Sequence, residues 1–375
     1  MVWPAPARRA ACVVGGSLAA VGVAHALARN GQPAPRVARD AAAAVAMPAV
    51  IAGVVAAGLS GAADAEGAVA SRLPQQFAYL LRDSRAAWRQ FTYFEAAAGF
   101  VALAARDASR TGDDLWTSCR RLLGRWRDAG RDLRRSVRRG RVDLDIYAAA
   151  DGADADAPLV LIVPGGAWAH GDDARLYRLL ASAISKRSGG EAVVAQYEPW
   201  PLRDGPAMVA DVADTLAWAE DRAPRRVVVV GLSAGAHLVA AAAARAPRPA
   251  AVALCSGVFD LEAHYAHERS RGVHDVSALG AAFEGSMREL SPAASAAAAP
   301  ADRVLVIHGD RDRIAPASSG ADAFCDALRA GGADVRRLDV PEPGHLDYAF
   351  RAMYDEQAPF LGWVTDLVDE VRAAR

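Results

Sequence analysis

VVVVGLSAGAHLVAAAAAR, residues 227–245, decides how this chain folds. Four consecutive valines read as a strand buried on both faces. The alanine-rich run after them reads as a helix. Between the two, Gly231-Leu232-Ser233-Ala234-Gly235 must turn the chain sharply, and side chains at 231 or 235 would collide with the neighbouring strand and helix. A serine at the centre of such a turn is lifted above the sheet, with a helix N-terminus aimed at it. The five-residue string is common by chance and could be a plain small-residue turn. Its place between a strand and a helix makes it a strong signal.

The surroundings repeat the pattern. PLVLIV (158–163), EAVVAQ (191–196), RRVVVV (225–230), PAAVAL (249–254) and DRVLVI (302–307) are short and mostly apolar on both faces, and RVDLDIY (141–147) alternates like a half-buried strand. Helical stretches fall between them at 174–186, 207–221, 234–244 and 317–329. Strands alternating with helices predict a mostly parallel, doubly wound α/β sheet. Gly-x-Ser-x-Gly at the strand–helix junction narrows this to an α/β-hydrolase fold over 141–375.

A serine hydroxyl needs a base to act as a nucleophile. In this fold the chain order is serine, acid, histidine. Of eight histidines, His345 alone lies beyond the strand expected to carry the acid. The acid should follow the end of DRVLVI. HGDRDRIAP (308–316) offers Asp310 and Asp312; the string His-Gly-x-x-Asp-x-x-x-Pro selects Asp312 and leaves Asp310 as a turn residue. Asp302 and Asp339 are expected at the opposite side of the sheet. Pro164-Gly165-Gly166-Ala167-Trp168 follows the 158–163 strand, where an oxyanion loop belongs. Gly165 and Gly166 allow close backbone approach; Gly166, Ala167 and Ala234 are the expected amide donors. His237 precedes the acid in the chain and suits a helper role beside the elbow helix.

The first third reads differently. Residues 10–28 are apolar apart from Ser17 and His25, and 41–63 carry no charge. About 20 apolar residues span a bilayer as a helix, and Pro48 is tolerable there. A two-helix anchor, read first on the length rule, a cleaved targeting segment, compatible with five arginines and no acid in 1–39, and an alanine-rich hairpin all fit residues 1–70. Residues 71–140 read as helical, amphipathic around Phe77, Leu80, Leu81, Trp88, Phe91 and Phe94, then rich in arginine. Ten arginines and two aspartates between Arg120 and Arg141 give a local charge of +8 in a chain of net charge −1. That run reads as a solvated helix face or as a surface drawn to anionic lipid. The balance of the whole chain points to no nucleic-acid partner. Cys12, Cys119, Cys255 and Cys325 are far apart in sequence, so no C-x-x-C metal pair exists; neither metal nor cofactor is expected. They read as reduced and buried.

PGGAWAHGDD (164–173), GLSAGAH (231–237), HGDRD (308–312) and Gly344-His345 together resemble the hormone-sensitive-lipase-like branch of the α/β-hydrolases. RRSVRRGRVDLDIY (134–147) and HERSRGVHDVSALGAAFEGSMRELSP (267–292) resemble, more specifically, isoprenylcysteine α-carbonyl methylesterases. Pro164 departs from the His or Thr often found there, and Tyr197-Glu198-Pro199 from a common Tyr-Arg. The resemblance implies hydrolysis of the methyl ester on a C-terminal prenylcysteine by Ser233, His345 and Asp312, without a cofactor. It also implies a membrane location, in the endoplasmic reticulum or Golgi. A related esterase or arylformamidase acting on a small soluble substrate, and a non-catalytic module of the same fold, are the alternatives.

Overall fold

The computed structural model describes residues 100, 102–148, 154, 156–169, 174–243, 245–274, 277–294, 299–341 and 344–374. The uncharged stretches 10–28 and 41–63, the aromatic spacing at 77–94 and Cys12 lie outside them. Among the described residues no helix is long and apolar enough to cross a membrane.

Eight strands form one sheet: β1 (Leu133–Arg139), β2 (Val142–Tyr147), β3 (Leu159–Val163), β4 (Ala192–Gln196), β5 (Val227–Leu232), β6 (Ala251–Cys255), β7 (Arg303–Gly309) and β8 (Asp334–Val340). They lie in the order β1-β2-β4-β3-β5-β6-β7-β8. β1 pairs antiparallel with β2, and β2 antiparallel with β4. Every pairing from β4 through β3 to β8 is parallel. This is the α/β-hydrolase fold.

Helices cover both faces. Val227 and Val229 of β5 face one core, with helices α3 (Gly205–Arg222), α4 (Ala234–Ala242) and α7 (Ala321–Ala330). Val228 and Val230 face the other, with α1 (Leu115–Arg131), α2 (Ala174–Ser188) and the last helix, α9 (Pro359–Ala373). All four valines are fully buried, each contributing about 1.5–3 kcal/mol of apolar transfer free energy as an upper figure. Three further helices, α5 (Leu261–Ser270), α6 (Leu279–Ala282) and α8 (Asp347–Arg351), lie in the connections. α3 starts cleanly because Asp204 caps it, accepting from the Ala207 amide at 2.9 Å, with Pro206 in its first turn.

Two expectations are corrected. The arginine-rich run is helical only to Arg131; residues 133–139 form β1. Leu133 and Val137 are half-buried there while the arginines are exposed. Gly140, at φ +54, makes a two-residue turn that pairs Arg139 with Val142, the chemistry of a tight hairpin. Backbone pairing to β2 outweighs a charge pattern that suits a helix equally well. Arginine on an outermost strand also discourages further strands from adding. Second, the compact unit that holds the sheet runs over Gly99–His267 and Leu279–Arg375, so it starts well before residue 141. The described residues of a second unit lie within Glu268–Ala278. In its described part the Ser277 hydroxyl donates to the Glu268 carboxyl at 2.7 Å.

Candidate active site

Ser233 sits at φ 52, ψ −116, a region that residues with a Cβ rarely occupy. The strain follows from the space around it. A Cβ on Gly231 would stand 2.7 Å from Ala236 Cα, and one on Gly235 would stand 2.2 Å from the Val163 carbonyl oxygen. Strand and helix therefore approach so closely that the serine must take the sharp conformation. Its amide donates to the Cys255 carbonyl at 2.8 Å, its carbonyl accepts from His237 at 3.1 Å, and its side chain stands at the N-terminus of α4, where the helix dipole favours negative charge.

His345 lies between β8 and α8, ahead of Leu346 at φ 58. Its Nε2 is 2.9 Å from Ser233 Oγ and its Nδ1 is 2.7 Å from Asp312 Oδ2. Asp312 follows β7. Its Oδ1 accepts from the amides of Ile314 at 3.0 Å and Ala315 at 2.9 Å. With its carboxylate occupied this way, Asp312 accepts a hydrogen bond from Nδ1–H and so leaves the Nε2 lone pair for the serine hydroxyl. Burial pushes the Asp312 carboxyl upward. The hydrogen bond and charge of His345 and the Ala315 amide outweigh it and hold the group below its ordinary 3.8.

Asp310 is exposed, and its amide donates to the Val340 carbonyl at 2.9 Å; it is a turn residue. Asp302 stands just before β7, at the far end of the sheet from the serine. Asp339 does not: it pairs with His308 across β7 and β8, on the same side as Asp312. It is nevertheless exposed and bound to Arg337 at 2.8 Å, because the outward register of β8 turns it to solvent.

The 165–168 loop presses onto the serine. A Cβ on Gly165 would be 2.7 Å from the Leu232 carbonyl oxygen and 3.0 Å from Ser233 Cβ. Gly166, Ala167 and Trp168 have successive φ values of 139, 50 and 58. Tyr197 donates its hydroxyl to the Pro164 carbonyl at 3.2 Å. The Gly165 amide hydrogen-bonds the Tyr177 hydroxyl, whose deprotonation burial opposes, raising it to about 12. The next two residues, Gly166 and Ala167, continue this loop, and Ala234 opens α4 directly after Ser233. Residues 170–173 lie outside the described residues.

Sequence reasoning gave His237 a helper role but missed its partners and the rest of the layer behind these groups. Tyr348, three residues past His345, donates to the Ile307 carbonyl at 3.1 Å and stands 3.1 Å from the Ser256 hydroxyl. It ties the histidine loop to the ends of β6 and β7. Trp168 donates its indole N–H to His237 Nδ1 at 3.1 Å, and its carbonyl accepts from Trp200 at 2.8 Å. An aromatic residue one helical turn from the start of a loop-anchored helix is a weak signal, and only the fold pairs them. Cys255 and Cys325 are buried and free, and Cys119, also free, is half-buried. Among the described residues no group of three or more His, Cys, Asp or Glu is placed to hold a metal ion.

Comparison with known proteins adds the following. The sequence model of the prolyl oligopeptidase family matches residues 202–370, the stretch that contains Ser233, Asp312 and His345. Esterase LipQ of Mycobacterium tuberculosis is 31% identical over 228 residues, which is 54% of this chain and 53% of LipQ. Esterase LipC of the same organism is 29% identical over 230 residues, covering 54% of this chain and 56% of LipC. Isoprenylcysteine α-carbonyl methylesterase of Arabidopsis thaliana is 25% identical over 274 residues, 64% of this chain and 61% of its own. The chain thus spans little more than half the length of the curated relatives it matches. Among solved structures, EstE7, a hormone-sensitive-lipase homologue from a metagenome library, superposes with a TM-score of 0.53 at 19% identity, covering 66% of this chain and 92% of that one; it shares the fold.

Proposed function

We propose that this chain is a serine carboxylic-ester hydrolase that removes the methyl group from C-terminal prenylcysteine methyl esters. The hydrogen-bonded line from Asp312 through His345 to Ser233 carries the hydrolytic part. His345 Nε2 takes the Ser233 proton as Oγ bonds to the ester carbon, and the carbonyl electron pair becomes an oxyanion. The amides of Gly166, Ala167 and Ala234 receive that charge; losing one such donor commonly costs about 10²–10³ in rate. The intermediate collapses, the C–OCH₃ bond breaks, and His345 returns the proton to give methanol and an acyl-enzyme. Water attacks the acyl carbon by the same proton route and releases the carboxylate and Ser233.

The substrate rests on the relationship to the Arabidopsis methylesterase and on the 267–292 stretch that resembles that family. A prenyl chain concentrates such a substrate in lipid, by about 0.8 kcal/mol per buried methylene. A membrane surface therefore suits the catalyst, with the endoplasmic reticulum or Golgi as the proposed location. The higher identity to the esterases LipQ and LipC supports the esterase form of a second reading, a related esterase or arylformamidase acting on a small soluble substrate. Turnover of farnesylcysteine methyl ester set against a short acyl nitrophenyl ester separates the two: a higher kcat/KM for the prenylated ester supports the first, and equal or better turnover of the short ester refutes it. Fluorophosphonate labelling that disappears in Ser233→Ala supports either hydrolase. A folded chain that takes no label is the non-catalytic module. Mass spectrometry of the mature N-terminus distinguishes an anchor from a cleaved targeting segment.

A further inference from the structure

We infer that His237 is a positioning residue of the proposed hydrolase: through Trp168 it locks the 165–168 loop against the helix that bears Ser233, and so fixes the two sources of oxyanion donors relative to each other. The inference rests on the serine-hydrolase reading above.

The loop needs a lock. Ala167 and Trp168 both hold positive φ values, 50 and 58, right after Gly166 at 139. Residues with a Cβ persist in such conformations only where the surroundings over-determine them. At Trp168 they do. The side chain is 1% exposed. Its carbonyl is held by the Trp200 amide, and its indole N–H by His237 Nδ1 at 3.1 Å. The ring meets His237 and Phe283 edge to face, each at a centroid distance of 5.4 Å.

The bonding fixes the imidazole as well. Indole nitrogen can only donate, so Nδ1 of His237 carries the lone pair and Nε2 carries the hydrogen. Nε2 lies 2.9 Å from the Leu290 carbonyl and donates to it. Both ring nitrogens are satisfied in one tautomer and one orientation, and a ring flip would break both bonds. His237 is fully buried. It stands one helical turn beyond Ser233, and its own amide donates to the Ser233 carbonyl at 3.1 Å. A single residue therefore spans from the nucleophile's backbone to the oxyanion loop and on to the 290 carbonyl. Ala234 rides on α4, and Gly166 and Ala167 ride on the loop. Their relative placement matters most when the oxyanion forms, so a loosened lock should lower kcat and spare KM.

The test compares His237→Leu, which deletes both side-chain bonds, with His237→Gln. The Gln amide carries one acceptor and one donor about as far apart as the two ring nitrogens. Trp168→Phe removes the indole N–H from the other end. Each is assayed for kcat and KM on a short acyl nitrophenyl ester, with circular dichroism and thermal unfolding to confirm folding. We expect His237→Leu and Trp168→Phe each to lose about 10–100-fold in kcat, the cost of small misplacements at a reacting centre, with KM within about 2-fold. His237→Gln should stay within about 3-fold of wild type, and the double variant Trp168→Phe/His237→Leu should be no worse than the poorer single one. The inference is overturned by a folded His237→Leu or Trp168→Phe with wild-type kcat, by a loss confined to KM, by His237→Gln as poor as His237→Leu, or by additive losses. If His237→Leu does not fold, Trp168→Phe and His237→Gln decide. Wild-type chain that neither hydrolyses the ester nor takes a fluorophosphonate refutes the hydrolase reading and this inference with it; active wild type with indifferent variants refutes this inference alone.

Discussion

Replacing Asp312 by asparagine probes the candidate triad most sharply, because the structure dictates both ways the amide can sit. The carboxylate makes three bonds: Oδ2 to His345 Nδ1, and Oδ1 from the Ile314 and Ala315 amides. Asparagine can keep its oxygen toward the two backbone donors. Its NH₂ then faces Nδ1, which must accept, so the imidazole proton moves to Nε2 and confronts Ser233 with a donor. Chemistry would then run through the disfavoured tautomer, a loss of about 10⁴, or about 5.4 kcal/mol. The flipped amide preserves the right tautomer but sets its NH₂ against two backbone N–H groups, one of them buried. At about 1–3 kcal/mol for each unmet donor, that costs about 2–6 kcal/mol. The cheaper orientation governs, so kcat/KM should fall by a factor between about 30 and 10⁴, nearly all of it in kcat. Steady-state kinetics on a short acyl nitrophenyl ester measure this, with Asp310→Asn as the control. Asp310 is exposed and uses only its backbone, so that variant should stay within about 2-fold of wild type. Asp312→Asn within about 5-fold of wild type, or Asp310→Asn as the more damaged of the two, would refute the assignment of the acid.

Ser233→Ala and Ser233→Gly should both abolish turnover, but they should differ in stability. Alanine keeps a Cβ at φ 52, ψ −116 and glycine does not, so the glycine variant should be the more stable in urea by up to about 2 kcal/mol, its own chain-entropy cost included; a more stable alanine variant would contradict a strained elbow. Gly235→Ala sets a methyl group 2.2 Å from the Val163 carbonyl oxygen and 2.4 Å from that of Pro164. Strand β3 and the loop after it must shift, so we expect a loss of about 1–3 kcal/mol in chemical denaturation together with a lower kcat. Burial lowers the His237 imidazole from 6.5 to about 4 against the pull of the Leu290 carbonyl. The unfolded chain therefore binds this proton first, and stability present above pH 6.5 is lost progressively down to about pH 4, by about 3 kcal/mol in all. His237→Gln removes that titration, so its urea midpoint should fall less than that of wild type between pH 7 and pH 4.5; parallel decline in the two proteins would count against it.

Elements whose cause is local were legible in the sequence. The valine run at 227–230 is found as β5, Leu159–Val163 falls inside the strand read at 158–163, and the strained turn at 231–235 lies where its glycines demand it. The strands depend on burial over their whole length and Gly231 on Ala236, a few positions on; Gly235 alone answers to a distant partner, the Val163 carbonyl. The string His-Gly-x-x-Asp-x-x-x-Pro set Asp312 apart from Asp310, and it is Asp312 that stands 2.7 Å from His345 Nδ1, in a loop that carries its own donors at 314 and 315. What was not legible depends on partners distant in the chain. Residues 133–139 are as acceptable to a helix as to a strand; the backbone of 142–147 decides for the strand. Asp339 looked remote because the far end of β8 depends on its register against β7, which the apolar pattern of a partly exposed edge strand fixes poorly.

The same distinction separates reaction from substrate. Ser233, Asp312 and His345 follow the ends of β5, β7 and β8, strands that parallel pairing brings side by side with only β6 between the first two. Any sequence that forms this sheet in this order presents those three loops at one edge, and the proposed hydrolytic chemistry rests on the residue types placed there. Nothing in the strand order dictates what the ester is attached to. That must come from segments the strand order leaves unspecified: the Trp200 stretch that holds the Trp168 carbonyl, and the 283–290 stretch on which Trp168 and His237 lean. Trp168 touches both sides, since its backbone continues the 165–168 loop and its ring packs against Phe283 and His237. Changes in substrate-side packing will therefore reach kcat through Trp168, so a chain re-tuned toward a prenylated ester and one re-tuned toward a short one should differ in turnover as well as in binding.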